Sequence, residues 1–156
     1  LIFEGIMRNI EIKAAVSNWD ELIRRAKEAS GTEGVVIEQI DIFFNSQNGR
    51  LKMRSLKTEG KESHELIWYE RSDQEGPKLS TYDKITMDQK HCDDMTTLLR
   101  HSNGVRGEVR KARTLFLVGQ TRVHCDRVEG LGEYAELEWF SVTMSRSREE
   151  RRLRRN

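Results

Sequence analysis

Stretch after stretch of this chain sets polar or charged residues at every second position, with apolar residues between them. Successive side chains of an extended strand point to opposite faces, so each such stretch is a strand with one polar face. Asn9, Glu11 and Lys13 alternate with Ile10, Ile12 and Ala14. Arg50, Lys52 and Arg54 stand against Leu51, Met53 and Ser55. Glu65, Ile67, Tyr69 and Arg71 oppose Leu66 and Trp68, and Lys78, Ser80, Tyr82 and Lys84 share a face. Lys111 and Arg113 flank Ala112. Arg122, His124 and Asp126 flank Val123 and Cys125, and Glu136 and Glu138 flank Leu137.

The periodicity predicts strands over Arg8–Val16, Val35–Asn45, Arg50–Thr58, Glu62–Ser72, Lys78–Met87, Gly104–Val118, Thr121–Glu129 and Tyr134–Thr143. Two helices are expected. One covers Trp19–Ala29, capped by Ser17 or Asn18, and the other runs from an Asp88 cap to about Arg100. Short turns such as Gln47-Asn48-Gly49 and Glu59-Gly60-Lys61 make neighbouring strands antiparallel. An open sheet with its polar face in water would also alternate. Two features favour closure. The polar face is basic in the middle strands and acidic towards the chain ends, and two helices are too few to cover a wide sheet. Closing the sheet removes its edges and turns the polar face into a lumen. The expected fold is therefore mainly β, an eight-stranded antiparallel barrel or tunnel with flanking helices.

Composition agrees with a folded chain that has a second polar surface. Apolar residues make up 36% and charged residues 34%, with a net charge of only +1. The segment Arg146–Asn156 carries +4, which leaves the rest at −3. The body is thus not a general polyanion binder, and contact with nucleic acid is expected only through the basic tail. Residues 1–6 are read as an N-terminal extension, 7–143 as the tunnel domain and 144–156 as the tail. Cys92 and Cys125 lie far apart without zinc-ligand spacing, as in a reduced cytoplasmic protein. No stretch approaches the ~20 apolar residues of a membrane span.

Like charges facing one interior repel unless an opposite charge fills it. Arg50, Lys52, Arg54, Arg71, Lys78, Lys84, Lys111, Arg113 and Arg122 suit a highly anionic ligand, because Arg forks bind phosphate oxygens and Lys adds point charge. Glu11, Asp126, Glu136 and Glu138 are hard oxygen donors of the kind that Mg²⁺ or Mn²⁺ shares with phosphate. Together these residues favour reaction at a P–O–P linkage.

The chain resembles the CYTH family, the triphosphate tunnel metalloenzymes, over about Met7 to Phe140. The family's Glu-x-Glu-x-Lys signature appears as Asn9-Ile10-Glu11-Ile12-Lys13, with Asn in place of the first Glu. The stretch from Asp126-Arg127-Val128-Glu129-Gly130 to Glu136-Leu137-Glu138 is similar to the branch related to class IV adenylate cyclases. Gly49-Arg50-Leu51-Lys52-Met53-Arg54 and Val109-Arg110-Lys111-Ala112-Arg113 fit the basic strands. The resemblance implies Glu11, Asp126, Glu136 and Glu138 as metal ligands. It implies Lys13, Arg50, Lys52, Arg54, Arg71, Lys78, Lys111, Arg113 and Arg122 as phosphate-binding residues, with catalytic roles for Glu11, Lys13 and Arg54. Asn9 either alters the metal site or simply hydrogen-bonds in the lumen.

The expected activity is hydrolysis of a triphosphate with Mg²⁺ or Mn²⁺, the substrate being inorganic, nucleoside or thiamine-type. The alternatives are cyclisation of ATP to cyclic AMP and pyrophosphate, and triphosphate binding without turnover. His124 has lumen parity and is expected as a hydrogen-bonded residue without a chemical part. His64, His91 and His101 are expected at the surface, and Cys125 beneath a helix.

Overall fold

The computed structural model describes the backbone of residues 6–71 and 78–143, and the side chains of 10–70 and 81–139. The elements run β1 (Ile6–Ala15), α1 (Trp19–Ser30), β2 (Val35–Phe44), β3 (Arg50–Thr58), β4 (Lys61–Arg71), β5 (Lys78–Met87), α2 (Gln89–Ser102), β6 (Val105–Val118), β7 (Thr121–Val128) and β8 (Gly132–Thr143). All eight expected strands and both helices are present, with ends displaced by up to two residues. The strands form a closed barrel in the order β1-β5-β4-β3-β2-β6-β7-β8, and every neighbouring pair is antiparallel. Closure comes from β1, which pairs with β8 along Ile6–Ala15 and with β5 at Arg8–Glu11.

Local chemistry fixes the helices. Asn18 is the α1 cap, its side chain accepting the Glu21 backbone N–H at 3.1 Å. Asp88 does the same for His91 of α2 at 2.8 Å. Each cap satisfies a backbone donor that the helix itself leaves unpaired. Gly31 closes α1 in the left-handed region, at φ 67°.

The apolar core lies outside the barrel. Ala26 of α1 packs on Phe116 and Cys125, flanked by Trp19, Leu22, Ile23 and Val123. Cys92 of α2 packs on Phe44 and Met53, flanked by Leu51, Leu66, Met95 and Leu99. Cys125 is therefore beneath a helix, as expected, and burial pushes its thiol up to about 11. His64 corrects an expectation. It is 5% exposed and its Nδ1 lies 2.9 Å from Ser55 Oγ, because β4 runs beneath α2. His91 and His101 are exposed. No described helix is long and apolar enough to cross a membrane.

At two described glycines, Gly34 and Gly49, the backbone comes too close to a neighbour for any side chain. Gly34 has φ 78°, and a Cβ there would meet Phe116 Cε1 at 2.7 Å and Thr114 Cγ2 at 2.8 Å. Phe116 is 1% exposed and has no room to withdraw. Gly34→Ala is expected to destabilise the fold by about 1–3 kcal/mol in chemical denaturation. A change below about 0.5 kcal/mol would contradict this packing.

Candidate functional site: a charged barrel lumen

Cross-strand partners share a face, so the register gathers the inward residues. Glu11 stands beside Glu138, and Lys13 beside Glu136. Glu136 in turn faces His124, and Glu138 faces Arg122. Arg113 faces Asp126 across β6 and β7, while Arg54 faces Asp41 across β2 and β3. Lys111 sits opposite Gln39. The carboxylate-bearing first strand is thus brought against the last, although the two are far apart in sequence.

Two cationic forks dominate the wall. Arg54 donates from Nε to Asp41 Oδ1 at 2.8 Å and from Nη2 to Oδ2 at 2.7 Å. Lys52 Nζ approaches the same Oδ2 at 3.3 Å, and Gln39 Nε2 donates to it at 3.1 Å. Arg113 donates from Nε to Asp126 Oδ1 and from Nη2 to Oδ2, both at 2.7 Å. Lys111 Nζ donates to that Oδ2, also at 2.7 Å. The side chains of Asp41 and Asp126 are 5% and 0% exposed. Burial alone would raise both carboxyls, yet the bound guanidinium and ammonium groups hold them below the usual range. Asp126 thereby stands with the cations, not in the group formed by the other carboxylates.

Burial acts on the amines in the opposite sense. Lys52 is brought down to about 8 by desolvation and the neighbouring Arg54 charge, against the pull of Asp41. Its ammonium also lies 5.5 Å from the centre of the Phe43 ring and 5.1 Å from that of Tyr69. Desolvation and Arg113 lower Lys111 in the same way.

The acidic side is built by β7 and β8. His124, 4% exposed, has Nδ1 at 3.2 Å from Glu136 Oε1 and Nε2 at 3.4 Å from Glu138 Oε2. One donor atom from each of the three lies within 4.8 Å of the others, the spacing of a group able to share a cation. Arg113 Nη2 lies 3.7 Å from Glu136 Oε1. Burial would raise Glu136, but His124, Arg113 and Lys111 hold it at about 2.

The remaining predicted residues lie around this centre. Lys13 is exposed, 4.8 Å above the Tyr134 ring. Lys84 is exposed and bonded to Glu65 at 2.9 Å, and Arg122 is exposed on the lumen parity of β7. Arg50 is half-buried near the start of β3. The side chains of Asn9, Arg71 and Lys78, and the basic tail, lie outside the described residues. A cavity of ≈ 550 Å³ opens where β2, β6 and the β7–β8 turn meet, and reaches the lumen wall at Gln39, Lys111 and Val128. Asp41 and Gln39 were not among the expected site residues. Their signal was present as polar side chains two apart in a strand that is otherwise apolar except for Glu38.

A closed antiparallel barrel with charges inside and its apolar core outside defines a tunnel protein. The CYTH domain model matches residues 7–145, and the chain belongs to that family. None of the curated proteins compared with it matches in sequence. The barrel is similar to the PH1819 protein of Pyrococcus horikoshii, with 18% identity, 94% of this chain and 86% of that one covered, and a TM-score of 0.70. It is similar to a candidate adenylate cyclase of Vibrio parahaemolyticus, with 18% identity, coverage of 94% and 82%, and a TM-score of 0.60. A chain of the Schizosaccharomyces pombe Mediator head module has the same fold at 7% identity, coverage of 94% and 88%, and a TM-score of 0.66. At these identities the likeness is one of fold.

Two outcomes are expected. Asp41→Asn leaves Arg54 and Lys52 without their counter-charge and should cost about 3–5 kcal/mol in denaturation, part of it recovered with tripolyphosphate. A loss below about 1 kcal/mol would mean the fork does not depend on Asp41. Lys52 is charged below pH 8 and loses its proton as pH rises through that value, whereas the unfolded chain keeps it to 10.5. Tripolyphosphate affinity, read by calorimetry relative to Lys52→Arg, should therefore fall several-fold between about one pH unit below and one above Lys52's value. A constant ratio would contradict the assignment.

Proposed function

We propose that the protein is a divalent-metal-dependent enzyme acting on a triphosphate, and specifically a triphosphatase. The observation that carries this reading is the division of one lumen into two sides. Glu136 and Glu138 meet on one side. Lys52, Arg54, Lys111 and Arg113 line the other, fixed by Asp41 and Asp126. Membership in a family of triphosphate tunnel proteins supports it.

Glu136 and Glu138, with Glu11 alongside in the register, are the residues that would hold Mg²⁺ or Mn²⁺, since hard carboxylate oxygens suit either ion. Bound there, the ion polarises phosphoryl oxygens and balances charge. The cationic wall binds the phosphate chain. Arg54 and Arg113 each have Nε and Nη2 tied to an Asp, which fixes the plane of the guanidinium and leaves Nη1 to donate to phosphate oxygens. Asp126 serves as the anchor of this wall. Lys13, exposed beside Glu136 in the register, meets the incoming anion, and Arg50 and Arg122 extend the charge along the lumen. Arg71 and Lys78 would add to it. In the reaction this arrangement favours, water oxygen bonds the terminal phosphorus, the bond from that phosphorus to the bridging oxygen breaks, and the protons of the water pass to the phosphate products or to solvent. The wall stabilises the charge that develops on the departing phosphate.

A panel of triphosphates with Mg²⁺ or Mn²⁺ tests the reading, with products identified. Phosphate release without a cyclic nucleotide is expected. Cyclic AMP with pyrophosphate would replace hydrolysis by cyclisation, and tight binding without turnover would leave a binding module. Glu136→Gln combined with Glu138→Gln should lower metal-dependent turnover by roughly a hundredfold or more while the circular dichroism spectrum is kept. Unchanged turnover in that variant would remove the metal assignment.

A further inference from the structure

We propose that His124 supplies a nitrogen ligand to the metal held by Glu136 and Glu138, so that the site prefers Mn²⁺ to Mg²⁺. This rests on the reading of the lumen as a metal site and adds a donor that carboxylates alone do not provide.

The geometry of the ring carries the inference. His124 is 4% exposed, and its two nitrogens face two different carboxylates, Nδ1 at 3.2 Å from Glu136 and Nε2 at 3.4 Å from Glu138. A neutral imidazole has one N–H and one lone pair. A protonated ring donates to both carboxylates, whereas a ring with one proton donates to one and offers the other nitrogen's lone pair beside a carboxylate oxygen. A cation taken up by that lone pair and that oxygen would stand in place of the displaced proton.

The dimensions suit this. One donor atom from each of the three residues lies within 4.8 Å of the others, a separation that the donor atoms of one ion's shell can span. The strands supply the rest. His124 and Glu136 are direct cross-strand partners, and Glu138 follows two residues along β8 on the same face. The nitrogen that does not bind metal keeps a carboxylate to donate to, which fixes the tautomer and the ring plane, as in other imidazole-ligated sites.

Mg²⁺ favours an all-oxygen shell and dehydrates reluctantly, whereas imidazole suits the first-row transition ions. One nitrogen among these oxygens shifts preference towards Mn²⁺ and the later ions of the row.

Pulsed electron paramagnetic resonance of the Mn²⁺-loaded protein reads the donor directly. Strong ¹⁴N coupling is expected, converted to ¹⁵N coupling when only histidine is ¹⁵N-labelled, and absent in His124→Gln. In that variant Mn²⁺ affinity by calorimetry should fall about tenfold or more, with a smaller change for Mg²⁺. Stoichiometric Mn²⁺ without nitrogen coupling, or coupling that survives His124→Gln, would overturn the nitrogen ligand and leave the metal site standing. Failure of the unmodified protein to bind either ion would overturn both.

Discussion

The buried Arg–Asp forks make the rest of this molecule possible. A guanidinium or ammonium group withdrawn from water is costly unless it is paired and its hydrogen bonds are met. Arg113 solves this with two bonds to Asp126, and Arg54 with two bonds to Asp41. In each case a lysine two residues earlier on the arginine's own strand, Lys111 or Lys52, reaches the same carboxylate. The arrangement occurs twice, on β6–β7 and on β3–β2, and these two strand pairs are adjacent in the barrel. Each fork satisfies part of its guanidinium internally and still presents positive charge to the lumen. The wall is therefore held in shape by its own residues, which would lower the ordering cost of binding an anion.

Closure supplies what the forks lack. β1 lies against β8 with Glu11 beside Glu138 and Lys13 beside Glu136, so the two ends of the domain stand side by side in the register. In an open sheet β1 and β8 would both be edge strands, and Glu11 and Glu138 would not be cross-strand partners. β7 then joins the two regions. Its residues His124 and Asp126 face inward two positions apart, one among the carboxylates and the other among the cations.

Much of this was legible in the chain because the strand period of two separates inward from outward residues without reference to distant contacts. The alternation gave all eight strands, and it gave Lys52, Arg54, Lys111, Arg113, His124, Glu136 and Glu138 as residues of one interior face. It did not give Asp41. That strand is dominated by Val, Ile and Phe, and of its two carboxylates, Glu38 and Asp41, the second acquires meaning only when β3 brings Arg54 opposite. The partners of Asp126 were hidden for a related reason. Carboxylates that bind metal and carboxylates that bind arginine look alike in sequence, and the register decides between their neighbours. His64 read as a surface residue because nothing in β4 shows that α2 covers it.

Because the apolar clusters sit outside the barrel and the charges inside, the two parities of a strand answer to different demands. On β7, Cys125 packs beneath α1 while His124 and Asp126 on either side look inward. Stability and ligand chemistry are thus written in interleaved positions of the same segment, and either can drift while the other is kept. The coupled sets are small: Arg54 must change with Asp41, and Arg113 with Asp126. Such a scaffold can be retuned for a new occupant by a few paired replacements, which accounts physically for one barrel persisting among chains that share as little as 7% of their residues.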